Sequence, residues 1–167
     1  MIDSQDFISF LEKRFQYICG VPCSYFRDLL NYLSSHENKI HIKHILATRE
    51  DEAVGIASGI VFSEKEVVVY MQNSGLGNIG DALTSLAQLY KLPMLLLVSY
   101  RGLEPDNDFP EHSIMGEINE TLLEALEVPF WILTESNWSE IMDSAINKMR
   151  ETASPVALLV KQGVLSK

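Results

Sequence analysis

Cysteine is scarce in this 167-residue sequence, with Cys19 and Cys23 the only two. They stand four apart with no cysteine or histidine pair nearby, so no metal site can be completed around them. Their plain reading is a core thiol between Ile18 and Gly20, and a second thiol near a helix start. Positive charge is scarce too. The 13 basic residues are outnumbered by 23 acidic ones, for a net charge of -10. No Lys or Arg cluster is present to neutralise phosphates, which argues against a nucleic-acid partner. No apolar run approaches the roughly 18 residues that span a bilayer. The opening Met1-Ile2-Asp3-Ser4-Gln5-Asp6 has no basic segment ahead of an apolar one. The expectation is therefore a cytoplasmic protein without a secretory signal or membrane partner.

What is present is a core. Hydrophobic residues make up 47% of the chain and charged ones 22%, with no internal repeat and no low-complexity linker. That composition fits one globular domain over residues 1–167. Phe7, Ile8, Leu11, Phe15 and Ile18 recur at helical spacing, and Ile18–Val21 is a short apolar strand closed by Pro22. Ser24 is placed to cap a helix with Phe26, Leu29, Leu30 and Leu33 inside. Ile40–Leu46 has strand character. Thr48 is placed to cap a helix at Glu50, with Asp51 as the capping-box acid. Val67–Met71 is a β-branched run of the kind covered on both faces. After Gln72–Asn78 a helix follows with Leu83, Leu86, Ala87 and Tyr90 inside.

Met94–Val98 is the next strand, and a polar loop from Ser99 to about Ile114 contains Gly102, Pro105 and Pro110. A helix through Leu122, Leu123 and Leu126 leads to strands Phe130–Leu133 and Val156–Val160, separated by a helix opened by Asn137 and Glu140. This alternation predicts an α/β fold: three layers, a mostly parallel six-stranded sheet with helices on both faces. Ligands of such sheets bind beyond the carboxyl ends of the strands. The loops at Thr48–Asp51, Gln72–Asn78 and Ser99–Ile114 are therefore the candidate site.

Glu50 stands where a strand gives way to a helix, although acids also simply collect in first helical turns, as Asp51 and Glu52 do. Gly75 and Gly77 allow backbone to approach a ligand closely, and Asn73, Ser74 and Asn78 supply polar atoms. Gly75-x-Gly77-x-x-Gly80 also matches the spacing of a dinucleotide-binding loop. The acid such a site wants after the following strand is missing, since Ser99, Tyr100 and Arg101 stand there. His36, His41 and His44 have nothing nearby to complete a metal set.

Thr48-Arg49-Glu50-Asp51-Glu52-Ala53-Val54-Gly55-Ile56-Ala57-Ser58-Gly59 resembles the glutamate-bearing segment of thiamine diphosphate enzymes. Met71-Gln72-Asn73-Ser74-Gly75-Leu76-Gly77-Asn78 resembles the phosphonopyruvate decarboxylases and the alpha subunits of sulfopyruvate decarboxylases. Gly20-Val21-Pro22, Arg101-Gly102, Pro110-x-His112 and Met115-Gly116 fit the same families. The similarity runs from about residue 5 to the end. It implies a pyrimidine-binding (PYR) domain in which Glu50 is catalytic, hydrogen-bonding N1′ of the cofactor's aminopyrimidine and stabilising its imino form. Asn73, Ser74, Gly75, Leu76, Gly77 and Asn78 would face the cofactor. Arg101, with its planar fork, and His112 would grip the anionic tail of a short 2-keto acid. Pro110-x-His112 tips the choice of substrate slightly toward phosphonopyruvate.

The resemblance also implies a second domain holding the diphosphate through Mg²⁺, with a Gly-Asp-Gly start and an asparagine further on. Gly80-Asp81-Ala82 with Asn107 mimics that spacing. Asp81, however, falls inside the helix after the Gly75–Gly77 loop, so no metal ligand is expected in this chain. The diphosphate domain is expected in a partner, as a beta subunit or a separate domain. The Ala53–Gly59 helix is the expected small-residue face for a homo- or hetero-oligomer. Two rival readings remain at this point: a nucleotide-binding oxidoreductase module and a non-catalytic interaction domain.

Overall fold

The structure is a computed structural model and describes residues 1–103 and 108–165. Glu104, Pro105 and Asn107 lie outside the described residues. Six strands are laid down in chain order: β1 (Tyr17–Gly20), β2 (Lys43–Leu46), β3 (Val67–Gln72), β4 (Leu95–Ser99), β5 (Phe130–Leu133) and β6 (Val156–Val160). They form one sheet in the order β2-β1-β3-β4-β6-β5, and every pairing is parallel. The chief helices are α1 (Ser4–Leu11), α2 (Arg27–Ser35) and α3 (Glu50–Phe62), then α4 (Gly80–Ala82), α5 (Ser113–Ala125) and α6 (Trp138–Thr152). α4 runs directly into a π-helical turn at Leu83–Gln88.

Alternation along the strands sorts the core into two layers. Ile18, Val68, Tyr70, Leu95, Leu97 and Leu158 pack with Phe7, Leu11, Leu29 and Ile146 from α1, α2 and α6. Cys19, Val69, Met71, Leu96, Val98 and Leu159 pack with Ala53, Ala57, Leu83 and Leu123 from α3, the π turn and α5. Successive side chains on a strand point to opposite faces, so a strand covered on both sides must be apolar throughout. β3, β4 and β6 are accordingly almost wholly buried, while the edge strands β2 and β5 are half-exposed. The three-layer fold read from the sequence is the observed one. Among the described residues no helix is long and apolar enough to cross a membrane.

Several local expectations are corrected. α1 stops at Leu11, and Phe15 reaches the core from the turn beyond it. β2 begins at Lys43 rather than Ile40, and Tyr90 is exposed rather than inside. Ser24 opens a 3₁₀ turn (Ser24–Phe26) without capping it, and its Oγ instead accepts from Arg101 Nη1 at 3.3 Å. At α3 the capping interaction runs the other way from the one expected. Thr48 donates from its backbone N (2.8 Å) and Oγ1 (2.7 Å) to Glu52 Oε2, while Asp51 turns back to Arg49. Glu52 sits a full turn on from Thr48, where a carboxylate can reach back, and Asp51 does not.

Gly20 closes β1 against the middle of the sheet. A Cβ there would overlap the carbonyl oxygen of Tyr70 in β3, so only hydrogen fits. The rim at the amino ends of the strands is tied polar to polar. Gln16 Oε1 accepts from Glu66 N at 2.9 Å, and Arg150 pairs with Glu66 through two bonds of 2.7 Å. From β1 the chain steps outward to β2, then returns on the other side of β1 as β3. Such a reversal marks where sheets of this kind open a crevice, at the carboxyl ends of β1 and β3.

Candidate active site

Three elements converge on that crevice: the start of α3, the 3₁₀ turn Asn73–Gly77 after β3, and the segment after β4. Glu50 is the first residue of α3 and is half-buried. Its Oε2 accepts from Asn78 Nδ2 at 2.9 Å. Oε1 has no hydrogen-bond donor among the described residues. Gly75 lies under the carboxylate: a Cβ there would overlap Cγ of Glu50 and stand 3.1 Å from Oε1. Glycine is thus required by close approach, and the carboxylate is pressed into a cradle that any larger residue would fill. The same contact weighs against a dinucleotide at Gly75-x-Gly77-x-x-Gly80, because a pyrophosphate approaching Gly75 would meet an anion already seated there.

The remaining loop residues divide into two sets. Ser74, Gly77 and Asn78 are exposed toward solvent, whereas Asn73, Gly75 and Leu76 are buried. Asn73 donates to the carbonyl of Arg101 at 2.9 Å and so ties the β3 turn to the β4 exit. Its Oδ1 is buried without a partner among the described residues. Leu76 belongs to the core layer under α3.

Arg101 and His112 meet at Asp108. The Arg101 fork closes on it through Nε (3.1 Å) and Nη2 (2.6 Å), and stacks over the Tyr25 ring with its carbon 4.9 Å from the centroid. Tyr25 Oη at 3.2 Å and the backbone N of Gly102 (3.0 Å) and Phe109 (2.9 Å) also donate to Asp108. Burial alone would push the Asp108 carboxyl up. The Arg101 guanidinium and the two backbone N–H groups outweigh it and hold the carboxyl well below the usual carboxylate range. The fork expected to grip a substrate is therefore already closed on an internal carboxylate. His112 Nδ1 accepts from Gln72 Nε2 at 3.3 Å, while Nε2 lies 3.9 Å from Asp108. The same Gln72 amide nitrogen donates to Ser74 Oγ at 2.9 Å. Behind it Cys23 Sγ lies 3.0 Å from Ser99 Oγ and 4.0 Å from Gln72 Oε1.

Sequence reasoning placed Gln72, Ser99 and Asp108 within the candidate loops without giving Ser99 or Asp108 a role, and it missed Tyr25. The one available signal was an acid set four residues before His112 in a loop that begins at Arg101. A cavity of about 730 Å³ opens beside this cluster, lined by Tyr25, Arg27, Arg101, Asp108, Phe109 and Gln162. The two glycines of the segment hold it in place. Gly102 has φ +79°, and a Cβ at Gly116 would overlap the Gly102 carbonyl and stand 2.8 Å from that of Arg101. Asp108→Asn, which leaves the half-buried Arg101 without its counter-charge, is expected to cost about 3 kcal/mol, the low end for a broken buried pair. A lower denaturant midpoint at neutral pH is the measurement. Because the folded carboxyl is depressed, its contribution is complete above the ordinary carboxylate range and is lost only as pH falls through the folded value. The gap between the two proteins should therefore persist at pH 5.

His44 Nε2 meets the Tyr70 hydroxyl at 2.9 Å, and burial lowers the pKa of the imidazole. Both cysteines are free and buried, with the Cys19 thiol pushed up to about 12 by burial. Both match the plain reading of the sequence.

The chain is similar to known proteins over most of its length. The family described as "Thiamine pyrophosphate enzyme, N-terminal TPP binding domain" matches residues 4–123. The sulfopyruvate decarboxylase subunit alpha of Methanocaldococcus jannaschii is 35% identical over 149 residues, covering 89% of this chain and 86% of that one. The phosphonopyruvate decarboxylase of Streptomyces viridochromogenes is 29% identical over 153 residues, and the match spans 89% of this chain but 37% of the relative. Among solved structures, a 2-oxoglutarate:ferredoxin oxidoreductase from Magnetococcus marinus superposes with a TM-score of 0.66 over 98% of this chain and 29% of that one. At 13% identity that likeness speaks for the fold alone. A half-buried acid at a strand-to-helix corner, a glycine cradle beneath it and the matched residues 4–123 lead to one assignment: the chain belongs to the thiamine pyrophosphate enzymes, as their N-terminal TPP-binding domain.

Proposed function

We propose that this chain is the pyrimidine-binding part of a thiamine diphosphate-dependent decarboxylase whose substrate is a short 2-keto acid with an anionic tail. The observation that carries the reading is the Glu50 carboxylate, with Oε2 held by Asn78 and Oε1 left to an outside donor. When bound, thiamine diphosphate supplies the carbon nucleophile and the electron sink that a 2-keto acid needs to release carbon dioxide. This chain's residues supply the rest. Glu50 shares a proton with the pyrimidine nitrogen at Oε1, and the absent side chain of Gly75 leaves room for that contact. Ser74, Gly77 and Asn78 form the exposed wall of the same crevice. His112 and Gln72 face the substrate end, while Arg101 fixes the rim through Asp108. Mg²⁺ and the diphosphate fall to a diphosphate-binding partner, a beta subunit or separate domain. Ala53, Ala57 and Ser58 of the expected small-residue face are buried against the sheet, so the face left for it to cover is the Gly55 and Gly59 side of α3, which has open space around both glycines. A cytoplasmic setting fits this assignment.

Sulfopyruvate is the first substrate to test. Relatives named as sulfopyruvate decarboxylase alpha subunits reach 35–38% identity, against 28–29% for the phosphonopyruvate decarboxylases. That weighs against the slight tilt from Pro110-x-His112. The test is to co-purify the chain with a diphosphate-binding beta subunit, add thiamine diphosphate and Mg²⁺, and follow carbon dioxide from both acids. Release from sulfopyruvate by the pair, and none by either chain alone, is expected. Silence with both acids would favour the non-catalytic reading.

A further inference from the structure

The two oxygens of Glu50 are not equivalent, and the difference has a cause in one side chain. Asn78 Nδ2 reaches Oε2 at 2.9 Å across the mouth of the crevice, joining the end of the β3 turn to the first residue of α3. Oε1 lies over Gly75 and receives no hydrogen bond from any described residue. A carboxylate free to rotate would present either oxygen, or both at poor angles. One anchored through Oε2, with its Cγ lodged against Gly75, has a single orientation left. Asn78 is itself exposed and packs into no core layer, so a role in holding the fold does not explain it.

We propose that Asn78 is a positioning residue that acts through Glu50. By donating to Oε2 it points Oε1 at the nitrogen of a bound aminopyrimidine ring and keeps the carboxylate from turning away. This rests on the reading of Glu50 given above. An anionic acceptor makes the anchoring bond a strong one, because hydrogen bonds to charged groups are worth more than neutral ones. The division of labour is then clear. Gly75 makes space, Asn78 sets direction and Glu50 holds the proton.

The experiment uses the chain assembled with its diphosphate-binding partner, comparing Asn78→Leu, Asn78→Gln and Glu50→Gln with the parent. Leucine keeps the volume of asparagine without a donor, and glutamine keeps a donor on a longer arm. Three quantities are read: cofactor affinity by titration calorimetry, the near-ultraviolet circular dichroism of the bound cofactor's imino tautomer, and kcat against KM. For Asn78→Leu the expected result is cofactor affinity within about threefold of the parent, because the diphosphate end dominates binding. The tautomer band should weaken, and kcat should fall about 10- to 100-fold with KM little changed. Asn78→Gln should recover part of both the band and the rate. If Asn78→Leu keeps the band and the rate while Glu50→Gln loses both, the positioning role is overturned and the reading of Glu50 stands. If Glu50→Gln itself keeps both, the functional reading falls, and the proposal with it.

Discussion

Glu50→Gln in the assembled, cofactor-loaded enzyme is expected to lower turnover by about three orders of magnitude, within the range that removing a proton-transfer group gives. The substitution changes little else. Glutamine has nearly the volume of glutamate, so the contact with Gly75 survives, and its amide oxygen can still accept from Asn78. The amide nevertheless cannot hold and return a proton at the pyrimidine nitrogen. Stability of the chain should therefore be close to that of the parent, and cofactor should still bind. A steady-state assay of carbon dioxide release alongside thermal unfolding separates the two effects. Turnover within tenfold of the parent would remove Glu50 from the chemistry.

Gly20→Ala is expected to have the largest effect on folding, above about 4 kcal/mol. The added methyl has nowhere to go. It would overlap the carbonyl oxygen of Tyr70, which is main chain in a central strand and cannot swing aside as a side chain can. That carbonyl also accepts from Val21 N at 3.2 Å, so moving it breaks a bond that helps hold β1 to β3. The damage falls at the crevice itself, because β1 and β3 form its floor. Chemical denaturation should show a collapse of the midpoint or an insoluble product, whereas Gly55→Ala, with open space around its Cα, should leave the midpoint nearly unchanged. A stable Gly20→Ala protein would mean the two strands can separate without cost.

The layered architecture was legible because strands covered on both faces are apolar throughout and alternate with amphipathic helices. Val67–Met71 could hardly be anything but a strand covered on both sides, and so it is. Glu50, Gly75 and Asn78 were legible as members of one rim, because parallel strands put their exit loops at the same edge. Their mutual contact was not, since a hydrogen bond across 28 residues leaves no trace in spacing. The Arg101–Asp108 pair was missed for a related reason. Arg101 was read as a free cation, and only folding brings five donors around a carboxylate that looks like an ordinary loop acid. At Thr48 the acid proved to be Glu52 instead of Asp51, and the threonine gives where it was expected to take. A threonine can give or take, and a local motif does not specify which until the chain's path is set.

Because all six strands point the same way, the domain has two ends with separate duties. The Gln16, Glu66 and Arg150 fastening sits at the end away from the crevice, with the whole of α3 (Glu50–Phe62) between it and Glu50. Sequence drift there tunes endurance to heat or salt and leaves selectivity alone. At the other end, exposed positions such as Ser74, Gly77 and Asn78 can change with little cost to the scaffold, whereas Gly20 and Asp108 cannot. The exposed rim positions and the far fastening can thus change separately, the first altering the crevice and the second the hold on the sheet.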